Sequence, residues 1–333
     1  MKAFQIKKYS KKEKLELTEV AEPTVKENEV LVEVHAAGVN LLDSKIKTGE
    51  FKIFLPYKTP LTNGHDMAGV VVKVGAAVSK FKVSDEVYAR VGDYRIGTFA
   101  EYISVNENDL ALKPKNLTMV EAASIPLAGL TAWQALVERA NLKKGQKVFI
   151  QAGSGGVGTF AIQFAKHLGA TVATTTSTAN IEMVKSLGAD VVIDYKKADF
   201  ENLLKDYDVV LNSQDVNTLE KSLHILKPGG KLISISGPPD TDFAVQMGSP
   251  WYLKLVMKLL SFGVKKKAKR LNVDYSFLFM TAQGKQLSEI TTLIDSGKIR
   301  PVIDKVFPFE QTNDAMAYVE TGRARGKVVI RMK

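Results

Sequence analysis

Gly153, Gly155 and Gly158 stand at the spacing G-x-G-x-x-G, directly after an apolar run, Val148-Phe149-Ile150. Beyond them Val157, Ala161, Phe164, Ala165 and Leu168 recur at helical intervals until Gly169. Strand, glycine turn and helix is the order in which a backbone cradles phosphate. One glycine makes the turn tight, another leaves room for a pyrophosphate to approach the backbone, and another lets helix and strand come close. With Ser154, Gly156 and Val157 they form one loop, and the following helix offers unpaired N–H groups and the positive end of its dipole to an anion. A glycine-rich turn with no ligand is the alternative, and the fitting elements on both sides favour the phosphate site.

Composition sets the frame for that loop. At 333 residues the chain exceeds the ~250 beyond which single cores tend to divide, so two domains are expected. The absence of Cys removes disulfides, thiolate metal sites and cysteine nucleophiles together. Met1-Lys2-Ala3-Phe4 enters a strand-like alternation with no leader before it, and no apolar run approaches ~18 residues, so a cytoplasmic protein without a membrane span is expected. A net charge of +10 invites an anionic partner, whether nucleotide, membrane surface or nucleic acid.

From Met1 to about Leu112 short alternating runs punctuated by Gly and Pro predict an irregular β-barrel, with a short helix in Gly38–Gly49. Residues 118–141 read as helical. From Lys147 strand candidates alternate with helical patterns at about 179–187, 199–205 and 217–226, which predicts a doubly wound parallel sheet. Pro228-Gly229-Gly230 reads as a helix stop before the fifth strand. Tyr275–Met280 reads as a further strand, followed by a helix near 284–296 and a closing strand from Gly326.

The whole arrangement resembles the medium-chain dehydrogenase/reductase superfamily, and within it the zinc-free quinone oxidoreductase branch. The resemblance spans the chain and rests on Gly38-Val39-Asn40 with Asp43, Gly64-His65-Asp66-Met67-Ala68-Gly69, Ala128-Gly129-Leu130-Thr131, the glycine loop, Lys227-Pro228-Gly229-Gly230 and Gly326-Lys327-Val328-Val329. It implies a GroES-like barrel domain over 1–124 with 281–333, a Rossmann domain over 125–280, and a cleft where they meet. In zinc-dependent relatives two Cys and one His hold the metal. The matching positions here look like Asn40, His65 and Leu127, a set too poor in ligands for tetrahedral zinc. No metal is therefore expected.

Without a Lewis acid, reduction of an electron-poor acceptor is easier than oxidation of a simple alcohol. The resemblance thus implies NADPH-dependent reduction of a quinone or another α,β-unsaturated carbonyl by direct hydride transfer. It places Asn40 toward the substrate, where its amide can donate to an acceptor oxygen, and Thr131 beside the nicotinamide. His65 reads as a hydrogen-bonded loop histidine lining the cleft or as a general acid; Asn40 could instead be a turn residue, and Asp43 structural. Phe54, Tyr57 and Tyr94 are candidate pocket walls. NADPH is expected over NADH because residues 174–180 hold hydroxyls and no acid where NAD-binding relatives carry a carboxylate. Thr176 occupies that position, Ser177 and Thr178 can donate to a 2′-phosphate, Thr178 can also cap the next helix, and Tyr195 matches a family position beside the phosphate.

Two features lie outside this chemistry. Lys254, Lys258, Lys265, Lys266, Lys267, Lys269 and Arg270 accompany Leu253, Val256, Met257, Leu259 and Leu260 in a basic amphipathic stretch. Its apolar residues are expected to pack on the domain or cap the cleft; an anionic membrane surface is the alternative. The apolar strand Tyr275–Met280 and the family's habit point to a homodimer. The partners expected are a small quinone or enone and a second copy, with no nucleic acid. The competing function is a non-catalytic NADPH-binding protein tethered to membrane or RNA through the basic stretch.

Overall fold

Runs of β-branched and aromatic residues closed by glycine turns build three sheets, in two units of the chain. The structure is a computed structural model that describes residues 1–93 and 95–333; Tyr94 lies outside the described residues. One unit is Met1–Leu130 with Thr281–Lys333, and the other is the contiguous segment Thr131–Met280. The boundary falls inside the helix Pro126–Trp133, between Leu130 and Thr131.

In the first unit the strand β1 (Glu29–Val39) is the axis, buried along most of its length. It is followed at once by the helix α1 (Leu41–Thr48) and pairs antiparallel with β2 (Asp66–Val74), Gly38 lying opposite Asp66. These strands belong to a seven-stranded sheet, beside which a separate three-stranded sheet forms from the N-terminal residues.

The second unit begins with β3 (Lys147–Ile150), α2 (Gly156–His167), β4 (Thr171–Thr176) and β5 (Val191–Asp194). It continues through β6 (Tyr207–Asn212), β7 (Leu226–Ser234), the helices α3 (Thr241–Gln246) and α4 (Trp251–Arg270), and β8 (Asp274–Phe277). The six strands run parallel in the order β5-β4-β3-β6-β7-β8. Reversal of strand order beside β3 is the doubly wound arrangement, which opens a crevice at the carboxyl ends of the strands. Phe149, Ala173, Val210 and Leu232 come from four adjacent strands and are sealed from solvent in one cluster with Leu219, Leu223 and Val264. Removing a buried Phe of this kind costs about 3–5 kcal/mol.

Two local expectations are corrected. Pro228-Gly229-Gly230 does not stop a helix: the helix ends at Leu223, and the glycines sit inside β7, where the register shifts between Tyr207 and Val209 on the neighbouring strand. The segment 199–205 forms only a short 3-10 turn, Phe200–Asn202. The last strand of the first unit, β9 (Lys327–Arg331), pairs antiparallel with β1, so segments nearly three hundred residues apart share one sheet.

Candidate functional site

The glycine loop divides its tasks as its spacing requires. A Cβ on Gly158 would lie 2.3 Å from the Ala152 carbonyl oxygen and 2.7 Å from the Gly153 Cα, both backbone atoms that cannot move aside. A Cβ on Gly153 would meet the Thr174 hydroxyl at 2.1 Å, so the loop is pressed against β4. Around Gly155, by contrast, the nearest obstacle is a single carbonyl at 3.3 Å. Gly155 is the N-cap of α2 and has no side chain to offer the first-turn amides, the donors that a helix leaves unpaired. The strain of the turn falls on Ala152, whose φ of 51° lies in the left-handed region.

A polar ladder fixes the crest of the sheet beside this loop. Gln151 donates to Ser222 and accepts from Asn212, both at 2.7 Å, and the Asn212 carbonyl in turn accepts from the Ser234 hydroxyl at 2.5 Å. Gln151, Asn212 and Ser234 end, or directly follow, β3, β6 and β7, Ser222 stands on the helix Val216–Leu223, and all four are buried. Their signal in the sequence is a polar residue terminating each apolar run. A cavity of about 250 Å³ opens alongside, lined by Ala152, Thr175, Tyr195, Phe200, Gln214 and Lys221.

Next to the loop stands an acid that periodicity could not place. Thr176 ends β4 with its hydroxyl buried and without a hydrogen-bond partner among the described residues. Its register partner is Asp194. The Asp194 carboxylate accepts from the Thr178 hydroxyl at 2.5 Å and from the Lys196 amide at 3.0 Å, with the Lys197 ammonium at 3.9 Å. The Thr178 hydrogen bond, then the lysine contacts, hold this carboxyl below the usual range. Thr178 therefore neither caps the following helix nor leaves its hydroxyl hydrogen open. Ser177 accepts from Asn180, and Tyr195 stands largely exposed on the cavity wall.

In the first unit Asn40 and His65 belong to a buried polar cluster. The Asn40 amide nitrogen donates to Asp66 Oδ2 at 2.9 Å, its side-chain oxygen accepts from the Lys327 ammonium, and its backbone N–H donates to Asp43 Oδ2 at 2.7 Å. His65 is sealed from solvent: Nδ1 meets Asp43 Oδ1 at 2.5 Å, and Nε2 has no partner among the described residues. Asp66 also accepts the Leu127 amide at 2.8 Å and lies 3.5 Å from Lys327 Nζ. Burial pushes the Asp66 carboxyl up, and Lys327 and Asn40 pull it back only in part. His65 is thus a hydrogen-bonded and fully enclosed histidine, and the Asn40 amide is directed to Asp66. Asp66 and Lys327 were missed as partners because they lie far from Asn40 in sequence, although both stand inside recognisable motifs.

Thr131 is buried on the helix Pro126–Trp133 in the second unit, Phe54 is half-buried and Tyr57 buried. Tyr94 is outside the described residues. Among the described residues no group of three or more His, Cys, Asp or Glu side chains is placed to hold a metal ion. The positions of Asn40, His65 and Leu127 present an amide that holds an ammonium, an imidazole that faces a carboxylate, and an alkyl chain.

Residues 26–115 match the family model described as the alcohol dehydrogenase GroES-like domain, and residues 187–330 match the one described as zinc-binding dehydrogenase. The second match contains none of Asn40, His65 and Leu127. The chain is 39% identical to a 2-methylene-furan-3-one reductase of Solanum lycopersicum over 99% of its own length and 79% of the relative's. It is 38% identical to a mitochondrial NAD(P)H oxidoreductase of Mus musculus, covering 99% of this chain and 89% of that one. The solved quinone oxidoreductase of Coxiella burnetii superposes with a TM-score of 0.87 at 30% identity, over 100% of this chain and 99% of that one.

Proposed function

Because the chain belongs to the medium-chain dehydrogenase/reductase superfamily, in its zinc-free quinone oxidoreductase branch, we propose that it reduces quinones or other α,β-unsaturated carbonyls with NADPH and without zinc. The observation that carries this reading is the cradle around Gly155, where a Cβ would meet only the Ala152 carbonyl oxygen at 3.3 Å and the first-turn amides of α2 form the floor. Those amides suit a pyrophosphate. The cavity beside Thr175 and Tyr195 suits the adenosine end. Bound there, reduced nicotinamide supplies a hydride to an electron-poor carbon.

The chain's own part is to hold the phosphates at Gly155–Gly158 and keep the crest rigid through Gln151, Asn212 and Ser234, so that little ordering is left to the moment of reaction. Preference for NADPH is supported by the acid-free turn after β4, by the Thr176 hydroxyl, which has no partner among the described residues, and by Lys196 and Lys197 next to Tyr195. Zinc independence is supported by the donors themselves: a leucine, an amide committed to an ammonium and an enclosed imidazole do not make the three-ligand set that catalytic zinc requires. With no Lewis acid to polarise it, the acceptor must carry its own electron deficiency.

The test is NADPH oxidation by the purified protein against ortho- and para-quinones, alkenals and alkenones, before and after exhaustive chelation. Turnover with at least one class, unchanged by chelation, is expected. Tight NADPH binding with no turnover on any acceptor would overturn the enzyme reading, and loss of turnover on chelation would overturn the zinc-independent one.

A further inference from the structure

The helix α4 has two apolar faces, and its own unit covers one. Met257, Ser261, Val264 and Ala268, spaced by four, three and four, are buried. Trp251, Leu255, Leu259 and Phe262, spaced by four, four and three, are 76%, 50%, 67% and 58% exposed. Leu255, Leu259 and Phe262 each lie two positions, about 200°, from a buried residue, so this stripe points away from the unit. Of the apolar residues expected to pack there, Met257 is buried and Leu253 half-buried; Val256, Leu259 and Leu260 are exposed. Single exposed apolar side chains are ordinary, whereas a contiguous set rimmed by polar groups marks a partner.

The charges on α4 say which partner. No Asp or Glu occurs between Asp242 and Asp274. Lys265 pairs with Asp240 at 3.4 Å and Lys267 with Glu220 at 2.5 Å. Among the described residues Lys254, Lys258, Lys266, Lys269 and Arg270 make no ion pair, and the last three continue the outer face at the C-terminal end of the helix. A second copy seated on this face would bring equally many cations against them, with no acid on either helix. Nucleic acid would answer the charge but leave Leu255 and Leu259 in water. No helix among the described residues is long and apolar enough to cross a membrane.

We propose that the outer face of α4 binds the surface of an anionic phospholipid bilayer. The helix lies in the plane of the interface, with Trp251, Leu255, Leu259 and Phe262 at the boundary of headgroups and acyl chains and the lysines against lipid phosphates. This inference does not depend on the cofactor or acceptor.

The full-length protein is mixed with vesicles of phosphatidylcholine, with and without phosphatidylglycerol, and sedimented. Binding to the phosphatidylglycerol vesicles at low salt is expected, with a blue shift of Trp251 emission that the Trp251→Phe variant lacks. Binding should fall at ~1 M salt, where charges are screened within about 3 Å. Lys258→Gln with Lys266→Gln should weaken partitioning about 25-fold, near fivefold for each cation, and Leu259→Ser with Phe262→Ser should abolish it. These side chains are exposed, and an unchanged Tm checks the fold of each variant. Absence of binding to anionic vesicles at low salt would overturn the proposal, as would binding that survives the loss of Leu259 and Phe262. So would a protein that shows no binding and that Leu259→Glu converts from dimer to monomer.

Discussion

The ammonium of Lys327, near the end of the chain, donates to the carboxamide oxygen of Asn40, and both are almost wholly buried. The contact ties β9 to the start of α1 and brings a positive charge to Asp66, whose carboxyl is otherwise raised by burial. Breaking a buried pair by removing one member leaves the other charge uncompensated.

Lys327→Met should therefore destabilise the protein by about 3–5 kcal/mol at neutral pH. The sign of its pH dependence follows from Asp66. A carboxyl whose folded pKa is raised contributes stability that is complete below its unfolded value, about 3.9, and is lost as pH rises through the folded value. Without Lys327 that loss should deepen, so the variant should lie closer to wild type at pH 5 than at pH 7. Urea unfolding at both values measures this; an equal deficit at both would show that Lys327 does not offset the Asp66 charge.

The glycine loop separates folding from binding. Gly158→Ala places a methyl group against backbone and should lower Tm clearly. Gly155→Ala meets one carbonyl at 3.3 Å on an extended backbone, so its Tm should stay near wild type. Its KM for the dinucleotide should nonetheless rise by roughly tenfold or more, about 1.4 kcal/mol, because the methyl group fills the phosphate's approach. A Gly155→Ala enzyme with unchanged KM would remove the phosphate from this loop.

Changes at Asp194 and Thr176 are expected to move the cofactor ratio in opposite directions. Asp194→Asn removes a carboxylate beside the loop and should raise kcat/KM for NADPH relative to NADH. Thr176→Asp adds one in register with it and should lower that ratio by about tenfold. Steady-state kinetics with both cofactors decides, and a ratio insensitive to both changes would place the 2′-phosphate elsewhere.

The strand β8 pairs with β7 on one side only, among the described residues, while Tyr275 and Phe277 are buried within its own unit. Its open edge is expected to pair with a second copy. Sedimentation equilibrium should give a dimer, and a monomer at all concentrations would refute it.

The alternation of strands and helices after Lys147 and the glycine spacing were legible in the sequence because each is local. The Asn40 cluster was not, since it needs Asp66 and Lys327 from other strands, and hydrogen-bond partners across a sheet leave no periodic trace. Asp194 escaped notice for the same reason: it follows Thr176 in register, not in sequence. On α4 the two apolar stripes overlap in the linear pattern, and only packing reveals which of them is covered.

Pairing of β9 with β1 also orders events on the ribosome. The contiguous unit Thr131–Met280 can fold once its own residues have emerged, but the sheet built on β1 lacks a strand until residue 331 is made. Through most of synthesis the edge of β1 stands unpaired and Asp66 has no ammonium to meet it. A frameshift or premature stop before residue 327 would thus leave β1 without this partner.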